Sequence, residues 1–332
     1  MIPLKYQKNE NLEKKYYKLI TQSRNKRFIE KIDEKCDYYF KMQFEDIVCA
    51  SPEKLKQLHF WVKDSPDYEQ VKEEFKHISS VKQRNYIVNT LFQNMPKEAK
   101  LLIYKQVGQN VCPYCNRNFI ENLKIVKNRN GRNPVGTFEL DHFYSKDEFP
   151  MFAVSLYNLI PVCGTCNRIK SNTIFKVNPY LMYNKKDNIS FEYNILGSNY
   201  MENEHELEIK IKSSSKEALE DAQKLRLEEI YNRHKDIAQE IIKKMQYYSP
   251  EYIECLFKDT GTLFQSKDEL YRLLYGGYAN PDEFGKRPLS KFIKDIYQNT
   301  KEGLGGFDIF SKDMGVYPQN FLNSRIKCDW SA

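Results

Sequence analysis

The feature that most restricts how this chain can fold is a pair of C-x-x-C motifs, CPYC at 112–115 and CGTC at 163–166. Each motif can form a tight turn that presents two thiolates, and two such pairs match the ligand set of a tetrahedral zinc site. The sequence therefore predicts one zinc ion, held by Cys112, Cys115, Cys163 and Cys166. Four thiolates complete the coordination sphere of zinc, so the predicted ion is structural and catalysis would lie elsewhere.

The two motifs also allow other interpretations. A thiol–disulfide redox site needs only one C-x-x-C, usually beside a βαβ pattern, and the sequence lacks that pattern. Coincidence of two unrelated pairs is the remaining alternative. The other cysteines occur singly and are most simply small buried hydrophobic residues; they are Cys36, Cys49, Cys255 and Cys328.

The composition is that of a globular protein whose positive charge is concentrated in its first part. Hydrophobic residues make up 41% and charged residues 29% of the 332 positions, enough for one large or two ordinary domains. Residues 1–180 contain 30 Lys and Arg against 20 Asp and Glu, whereas residues 181–332 contain 22 against 25. The basic part could face a polyanion such as nucleic acid, or it could be a lysine-rich helical surface in contact with solvent.

Two nucleotide-binding motifs and two kinds of membrane segment are missing from the sequence. Neither G-x-x-x-x-G-K-[ST] nor G-x-G-x-x-G occurs, so we expect no motor and no dinucleotide site in this chain. The start has no apolar core of a secretory signal, and the longest apolar-leaning run, 149–163, is too short to cross a bilayer. We therefore expect a cytoplasmic protein without a membrane partner.

The periodicity of apolar residues predicts an α+β fold in three regions. Residues 1–105 have helical spacing, and residues 106–180 contain the paired cysteines among short apolar runs, with a loop at 128–134. Residues 181–332 are expected to form a β-hairpin and then helices. The expected strands are 189–195 and 205–211, and the expected helices are 215–247, opened by a capping box of Ser214 and Glu217, 250–258, 266–275 and 288–299.

An adjacent carboxylate and imidazole, Asp141 and His142, lie inside the loop that the predicted zinc site would close. Closing that loop would bring them near NRIKSN, where a helix is expected to begin at Asn167. Asp141 and Asn167 could then serve as oxygen ligands of a hard divalent cation. The alternative is an ordinary hydrogen-bonded surface turn, since Asp-His dipeptides are common.

The order of motifs CPYC, ELDHFYSK and SLYNLIPVCGTCNRIKSN resembles the ββα-metal core of the HNH endonucleases. It is most similar to the zinc-stapled kind of endonuclease VII-type junction resolvases. The resemblance implies a mostly helical chain around a small zinc-stapled ββα-metal core that hydrolyses phosphodiester bonds. It implies Mg²⁺ or Mn²⁺ at Asp141 and Asn167, a general base at His142 and a bracing role for Asn158. Where many members have a final histidine this chain has Asn167, which is compatible with Mg²⁺ because that ion prefers oxygen ligands.

A looser similarity extends beyond the core. The hairpin, LEEIYNRHKDI at 227–237 and RPLSKFIKDI at 287–296 resemble bacterial HNH proteins that act with SMC/ABC-like ATPases. Those pairs work in anti-phage defence, in Septu-type and some retron systems. The similarity implies an ATPase partner and a role as the effector nuclease.

The substrate and the contacts to it are less constrained. DNA is the favoured substrate and RNA, for instance tRNA, the alternative, because no base-reading motif is visible. The competing function is a catalytically inactive zinc-stapled module that binds nucleic acid or acts as an adaptor. Basic side chains near the motifs are candidate phosphate contacts or ordinary surface charges; they are Lys170, Arg168, Arg117 and Lys146.

Overall fold

The computed structural model of the chain describes residues 1–306 except 23, 25, 78–86, 124–134, 183–187, 249 and 262. Within these residues, thirteen α-helices surround three two-stranded antiparallel sheets, which confirms the predicted α+β class with a mostly helical chain. None of the helices in this described part has the length and apolar character that crossing a membrane requires. The loop predicted at 128–134 lies outside the described residues.

The first region is helical, and hydrogen bonds join it directly to the buried segment 150–158. Its elements are α1 (Glu10–Thr21), α2 (Lys26–Phe40), α3 (Phe44–Val48), α4 (Pro52–Lys63), α5 (Tyr68–Lys76), a π-helical segment (Val88–Gln93) and α6 (Lys97–Val107). The Tyr16 hydroxyl donates to the carbonyl oxygen of Val154 at 3.0 Å, and the Tyr157 hydroxyl donates to Glu13 at 3.0 Å. Buried apolar side chains from all three predicted regions join one continuous cluster. The predicted boundaries between the three regions, after residues 105 and 180, stay predictions.

The middle of the chain contains a strand–strand–helix unit. After the short pair β1 (Asn122–Leu123) and β2 (Val135–Gly136), β3 (Glu139–His142) runs antiparallel to β4 (Leu159–Val162), and α7 (Gly164–Lys170) follows β4. Asp141 is opposite Ile160, and His142 is opposite Leu159. The connection between β3 and β4 is packed with buried aromatic rings, including Phe143 and Tyr144. The start of β3 and the end of β4 therefore lie beside the first turn of α7, and the end of β3 lies beside Lys170, the last residue of α7.

The predicted hairpin is confirmed, and it is followed by helices. Strand β5 (Ser190–Ile195) pairs antiparallel with β6 (Leu207–Lys212), with Ile195 opposite Leu207. The helices are α8 (Lys216–Lys224), α9 (Leu227–Tyr231), α10 (Lys235–Tyr247), α11 (Pro250–Asp259), α12 (Lys267–Tyr275) and α13 (Ser290–Gly306). The cap of α8 is Ser215 rather than the predicted Ser214, because the Ser215 hydroxyl accepts from the backbone N–H of Ala218 at 3.2 Å.

The prediction of one helix over 215–247 is wrong. Arg226 has φ of 55°, a left-handed conformation that a right-handed helix cannot continue, so α8 and α9 are separate. The break directs α9 into the core, where the Tyr231 hydroxyl donates to the carbonyl oxygen of Cys115 at 2.5 Å. Asn232, directly after α9, donates to the carbonyl oxygen of Ile209 in β6 at 2.8 Å. These tertiary contacts, rather than the apolar period, determine where the helix ends.

We expect Tyr231→Phe to lower the free energy of unfolding by about 1–3 kcal/mol, because the buried carbonyl of Cys115 would lose its donor. Chemical denaturation of the metal-loaded chain measures this. The matched control is Tyr247→Phe, whose side chain is 76% exposed and whose hydroxyl can bond to water instead. Equal stability of the two variants would contradict the structural role assigned to Tyr231.

Candidate metal centre and active site

The four predicted cysteines form a single cluster. The sulfur atoms of Cys112, Cys115, Cys163 and Cys166 all lie within 4.8 Å of one another, and all four residues are buried. The sulfur atoms of Cys115 and Cys163 are 4.0 Å apart, a distance far greater than the length of a disulfide bond. Four thiolates at such spacing suit one tetrahedral ion, and zinc is the ion that this donor set favours. The four predicted cysteines are therefore positioned to bind a metal ion, an arrangement consistent with the predicted structural zinc.

Hydrogen bonds around the cluster fix the first cysteine turn. The side-chain amide of Asn118 donates to the sulfur of Cys163 at 3.3 Å, and the backbone N–H of Arg117 donates to the sulfur of Cys115 at 3.4 Å. Such donors stabilise negative charge on the sulfurs and orient the ligands. Asn116 has φ of 49°, which closes the turn, and its side chain donates to the carbonyl oxygen of Phe284 at 2.8 Å. The metal site is thus anchored to the last part of the described chain.

The carboxylate of Asp141 is buried and has a donor on each oxygen. Oδ1 accepts from Lys170 Nζ at 3.0 Å, and Oδ2 accepts from the Tyr114 hydroxyl at 2.6 Å. Burial raises the pKa of Asp141, while Lys170 and Tyr114 act in the opposite direction. Burial lowers the pKa of Lys170, and the carboxylates of Asp141 and Asp221 oppose that shift. Asp141 and Lys170 therefore form a buried ion pair.

This ion pair corrects one expectation. Lys170 was expected to contact phosphate, but it is 1% exposed and its ammonium also donates to the carbonyl oxygen of His142 at 2.8 Å. A phosphate cannot approach an ammonium that is enclosed in this way. The partnership with Asp141 was not predicted from sequence. One feature of the sequence was compatible with this partnership. Lys170 follows Asn167 by three residues, so the two side chains lie on the same side of α7.

The imidazole of His142 does not share the contacts of Asp141, because successive side chains along a strand point to opposite faces. Its Nε2 lies 2.9 Å from the carbonyl oxygen of Ala153, which can only accept, so Nε2 carries the proton and Nδ1 carries a lone pair. The ring of Phe92 packs against it at 4.3 Å between centroids. Burial lowers the pKa of His142 to about 3 although the Ala153 carbonyl opposes the shift. The imidazole is therefore neutral at physiological pH.

Asn158 holds the connection between β3 and β4 in place. Its side-chain oxygen accepts from the backbone N–H of Tyr144 at 2.8 Å. Its amide donates to the carbonyl oxygens of Tyr144 at 3.1 Å and Phe152 at 2.9 Å. Because Asn158 is fully buried, these three bonds brace the loop that carries Ala153, the acceptor of His142.

The side chain of Asn167 is bonded to Glu139. Its amide donates to Glu139 Oε2 at 2.7 Å. Glu139 lies two residues before Asp141 on β3, hence on the same face of the strand. Its carboxylate packs against Gly164, where an added Cβ would lie 2.8 Å from Oε1. Glu139 was not among the residues predicted from the sequence, although its position two residues before Asp141 indicates that both lie on one face of a strand.

The predicted cation ligands do not fit a divalent ion in this arrangement. Both oxygens of Asp141 are engaged, and the Asn167 amide is bonded to Glu139. Among the described residues, the four cysteines are the one group of three or more His, Cys, Asp or Glu side chains placed to hold a metal. Mg²⁺ or Mn²⁺ at Asp141 and Asn167 stays a prediction.

The other predicted phosphate contacts have different surroundings. Arg168 is exposed and Lys146 is half-buried. Arg117 is half-buried and donates from Nε to Nε2 of His234 at 2.9 Å. This bond joins two residues that lie far apart along the chain. Arg168 is thus the most accessible of the predicted contacts.

Comparisons of the chain with protein-family models, curated proteins and solved structures find no match. Any functional conclusion therefore depends on the site itself.

We expect one zinc ion per chain, and we expect Cys163→Ser to lose the zinc and much of the folded state, because site and fold are coupled. Elemental analysis and thermal unfolding of protein purified without chelator measure both. The matched control is Cys255→Ser, which removes an exposed free cysteine outside the cluster. Purified parent protein without zinc, or with a disulfide inside either C-x-x-C pair, would refute the assignment.

Proposed function

We propose that this protein is an endonuclease of the HNH kind that hydrolyses phosphodiester bonds in nucleic acid. The observation that carries the proposal is the neutral imidazole of His142, held by the Ala153 carbonyl at the end of β3. It belongs to a strand–strand–helix unit whose two strands lie, along the chain, between the two cysteine pairs of the cluster. Histidine is the side chain that most often acts as general acid or base in catalysis, and the lone pair of Nδ1 is the proton acceptor that this tautomer of His142 offers.

The proposed chemistry uses side chains of this chain. His142 Nδ1 takes a proton from water, and the resulting hydroxide attacks phosphorus while the bond to the leaving oxygen breaks. The Nε2–H bond to Ala153 keeps the ring in the required tautomer throughout. Asn158 acts indirectly, because it braces the loop that carries Ala153.

Positive charge near the imidazole supports a phosphate substrate. Burial is the main cause of the low pKa of His142, and the nearby ammonium of Lys146 adds to it. Arg168 is exposed at the end of α7. Contacts of this kind bind the backbone of a nucleic acid without reading its sequence. DNA is the proposed substrate and RNA, including tRNA, the alternative.

The proposed metal dependence comes from the resemblance to HNH endonucleases alone. A bound Mg²⁺ or Mn²⁺ would supply Lewis-acid stabilisation of the charge on the phosphate. Asp141 and Asn167 do not fit such an ion as they are arranged, so no step above depends on it. The four-cysteine zinc site supplies stability rather than chemistry, since its ligands leave no open position.

The proposal also includes a role in bacterial anti-phage defence with an SMC/ABC-like ATPase as partner. The support is the looser similarity of the hairpin and the segments 227–237 and 287–296. Exposed aromatic side chains of α2 and α4, Tyr38, Phe60 and Trp61, are of the kind that protein partners cover.

The alternative is an inactive zinc-stapled binding or adaptor module, and one observation favours it. Asp141 is already neutralised by Lys170 and hydrogen-bonded by Tyr114, which is the state expected of a structural residue. A cleavage assay separates the two functions.

We expect His142→Ala to lower the cleavage rate by ~10²–10⁴-fold, the usual cost of losing a general base, without loss of zinc. Plasmid DNA, single-stranded DNA and tRNA are incubated with Mg²⁺ or Mn²⁺, with and without a co-expressed ATPase partner. His205→Ala is the matched control, since His205 is exposed and lies far along the chain from the site. If His142→Ala cuts as well as the parent, the assignment of His142 is wrong. If the parent cuts none of these substrates, the adaptor function is favoured.

A further inference from the structure

A cavity of about 810 Å³ lies where the first half of α13 meets the open end of the hairpin, at the start of β5 and the end of β6. Its volume is within the range of ~300–1,000 Å³ that is usual for small-molecule sites. Its apolar walls include Ile189, Pro281 and Phe284. Its charged side chains are Lys212, Lys291, Lys294 and Asp295. We refer to it as the α13 cavity.

Two residues of this lining are held by Asn116, which directly follows Cys115. The side-chain amide of Asn116 donates to the carbonyl oxygen of Phe284 at 2.8 Å, and its side-chain oxygen accepts from the backbone N–H of Lys291 at 3.0 Å. Its backbone oxygen accepts from the N–H of Leu289 at 2.6 Å. Asn116 is buried, so these bonds do not compete with water. The α13 cavity is therefore a fixed part of the fold, attached to the first cysteine turn.

The lining of the α13 cavity has more positive than negative groups. Three lysines supply ammonium groups, and Asp295 supplies the one carboxylate of the lining. Lys212 pairs with Glu192, which lies outside the lining, and Lys291 pairs with Asp295 at 2.8 Å. One ammonium group, that of Lys294, is left over. A concave site with an excess of positive charge attracts anions.

The ammonium of Lys294 has no ion pair within the described part of the chain. It lies over the rings of Tyr271 and Tyr297, with 5.7 and 5.3 Å between Nζ and the ring centroids. Burial is the main cause that lowers the pKa of Lys294. An anion bound at Nζ would replace the water that this ammonium has lost.

The ammonium of Lys291 is deeply buried in the same lining. The side chain is 9% exposed, and Nζ donates to Asp295 Oδ2 at 2.8 Å. An ammonium has three N–H donors, so this bond leaves donors for a ligand. Asp295 Oδ2 also accepts from the backbone N–H of Phe191 at 3.1 Å, so this oxygen is occupied by donors of its own chain. Lys291 and Lys294 are three residues apart and therefore lie on the same side of α13.

We propose that the α13 cavity binds a small phosphate ester, with its phosphate between Lys291 and Lys294 and an apolar ring against Phe284 and its neighbours. A phosphate ester carries a charge of about −1.5 to −2 near neutral pH and several acceptor oxygens, which suit two ammonium groups. The apolar walls require an apolar body, which inorganic phosphate lacks. This site does not rest on the proposed nuclease, because none of its residues takes part in the chemistry assigned to His142.

The test measures the binding of naphthyl phosphate to the full-length, zinc-loaded chain by isothermal titration calorimetry. Naphthyl phosphate is expected to bind at least about tenfold more tightly than naphthol, which lacks the charge, and than inorganic phosphate, which lacks the ring. Naphthoate keeps the ring and replaces the phosphate by a carboxylate. Naphthoate or inorganic phosphate that bound as tightly as naphthyl phosphate, or a parent chain that bound no naphthyl phosphate, would overturn the inference.

Variants locate the site. Lys294→Gln is expected to weaken the binding of naphthyl phosphate by at least about tenfold, because it removes the charge that has no partner of its own. Lys301→Gln is the matched control, since Lys301 is an exposed lysine of the same helix outside the lining. His142→Ala is expected to bind as the parent does. Equal weakening in the two lysine variants, or weakening in His142→Ala alone, would show that the ligand binds elsewhere and refute the site.

The parent chain provides a measurement that does not depend on the folding of a variant. Acetylation of lysines by a water-soluble ester is followed by mass spectrometry with and without saturating naphthyl phosphate. Acetylation of Lys294 is expected to slow several-fold in the presence of the ligand, while acetylation of Lys301 keeps its rate. An unchanged rate at Lys294 contradicts the proposed position of the phosphate.

Discussion

The meeting of four buried cysteine sulfurs is the constraint on which the rest of the site depends. Sulfur atoms within 4.8 Å of one another cannot all be thiolates in a protein interior unless a cation neutralises them. A bound ion would make this packing favourable, and the cluster closes the loop that contains β3, β4 and their connection. Asn116 and Tyr231 then join the cluster to the last helices through buried hydrogen bonds. The cluster thus orders elements that are far apart along the chain.

Within the loop closed in this way, hydrogen bonds between buried protein groups position the imidazole. His142 is oriented by the Ala153 carbonyl, and Ala153 is held by the three hydrogen bonds of Asn158 and by the bond between Tyr16 and Val154. Each of these groups is buried, so each bond is retained in the absence of competing water. A side chain that must move one proton gains from such a fixed position.

The carboxylate of Asp141, the residue before His142, is held by charged and polar side chains rather than by a backbone carbonyl. Asp141 is stabilised by an ammonium from α7 and a hydroxyl from the cysteine turn, so three separate segments of the chain meet at one charge. A buried ion pair contributes modestly to stability while intact, but it is very costly to break on one side only. The pair therefore restricts what can enter the site more than it strengthens the fold.

The sequence by itself determined the features that depend on local spacing. The two C-x-x-C motifs identified all four metal ligands, because a short turn fixes two thiolates whatever surrounds it. Period-two alternation identified β5 and β6, and helical spacing identified most helices. Only the tertiary structure decided the break at Arg226, the bond between Arg117 and His234, the pairing of Asn167 with Glu139, and the burial of Lys170 against Asp141. In each case the partner lies in another element, and burial rather than residue type decides whether a charge meets solvent, substrate or a counter-charge of its own chain.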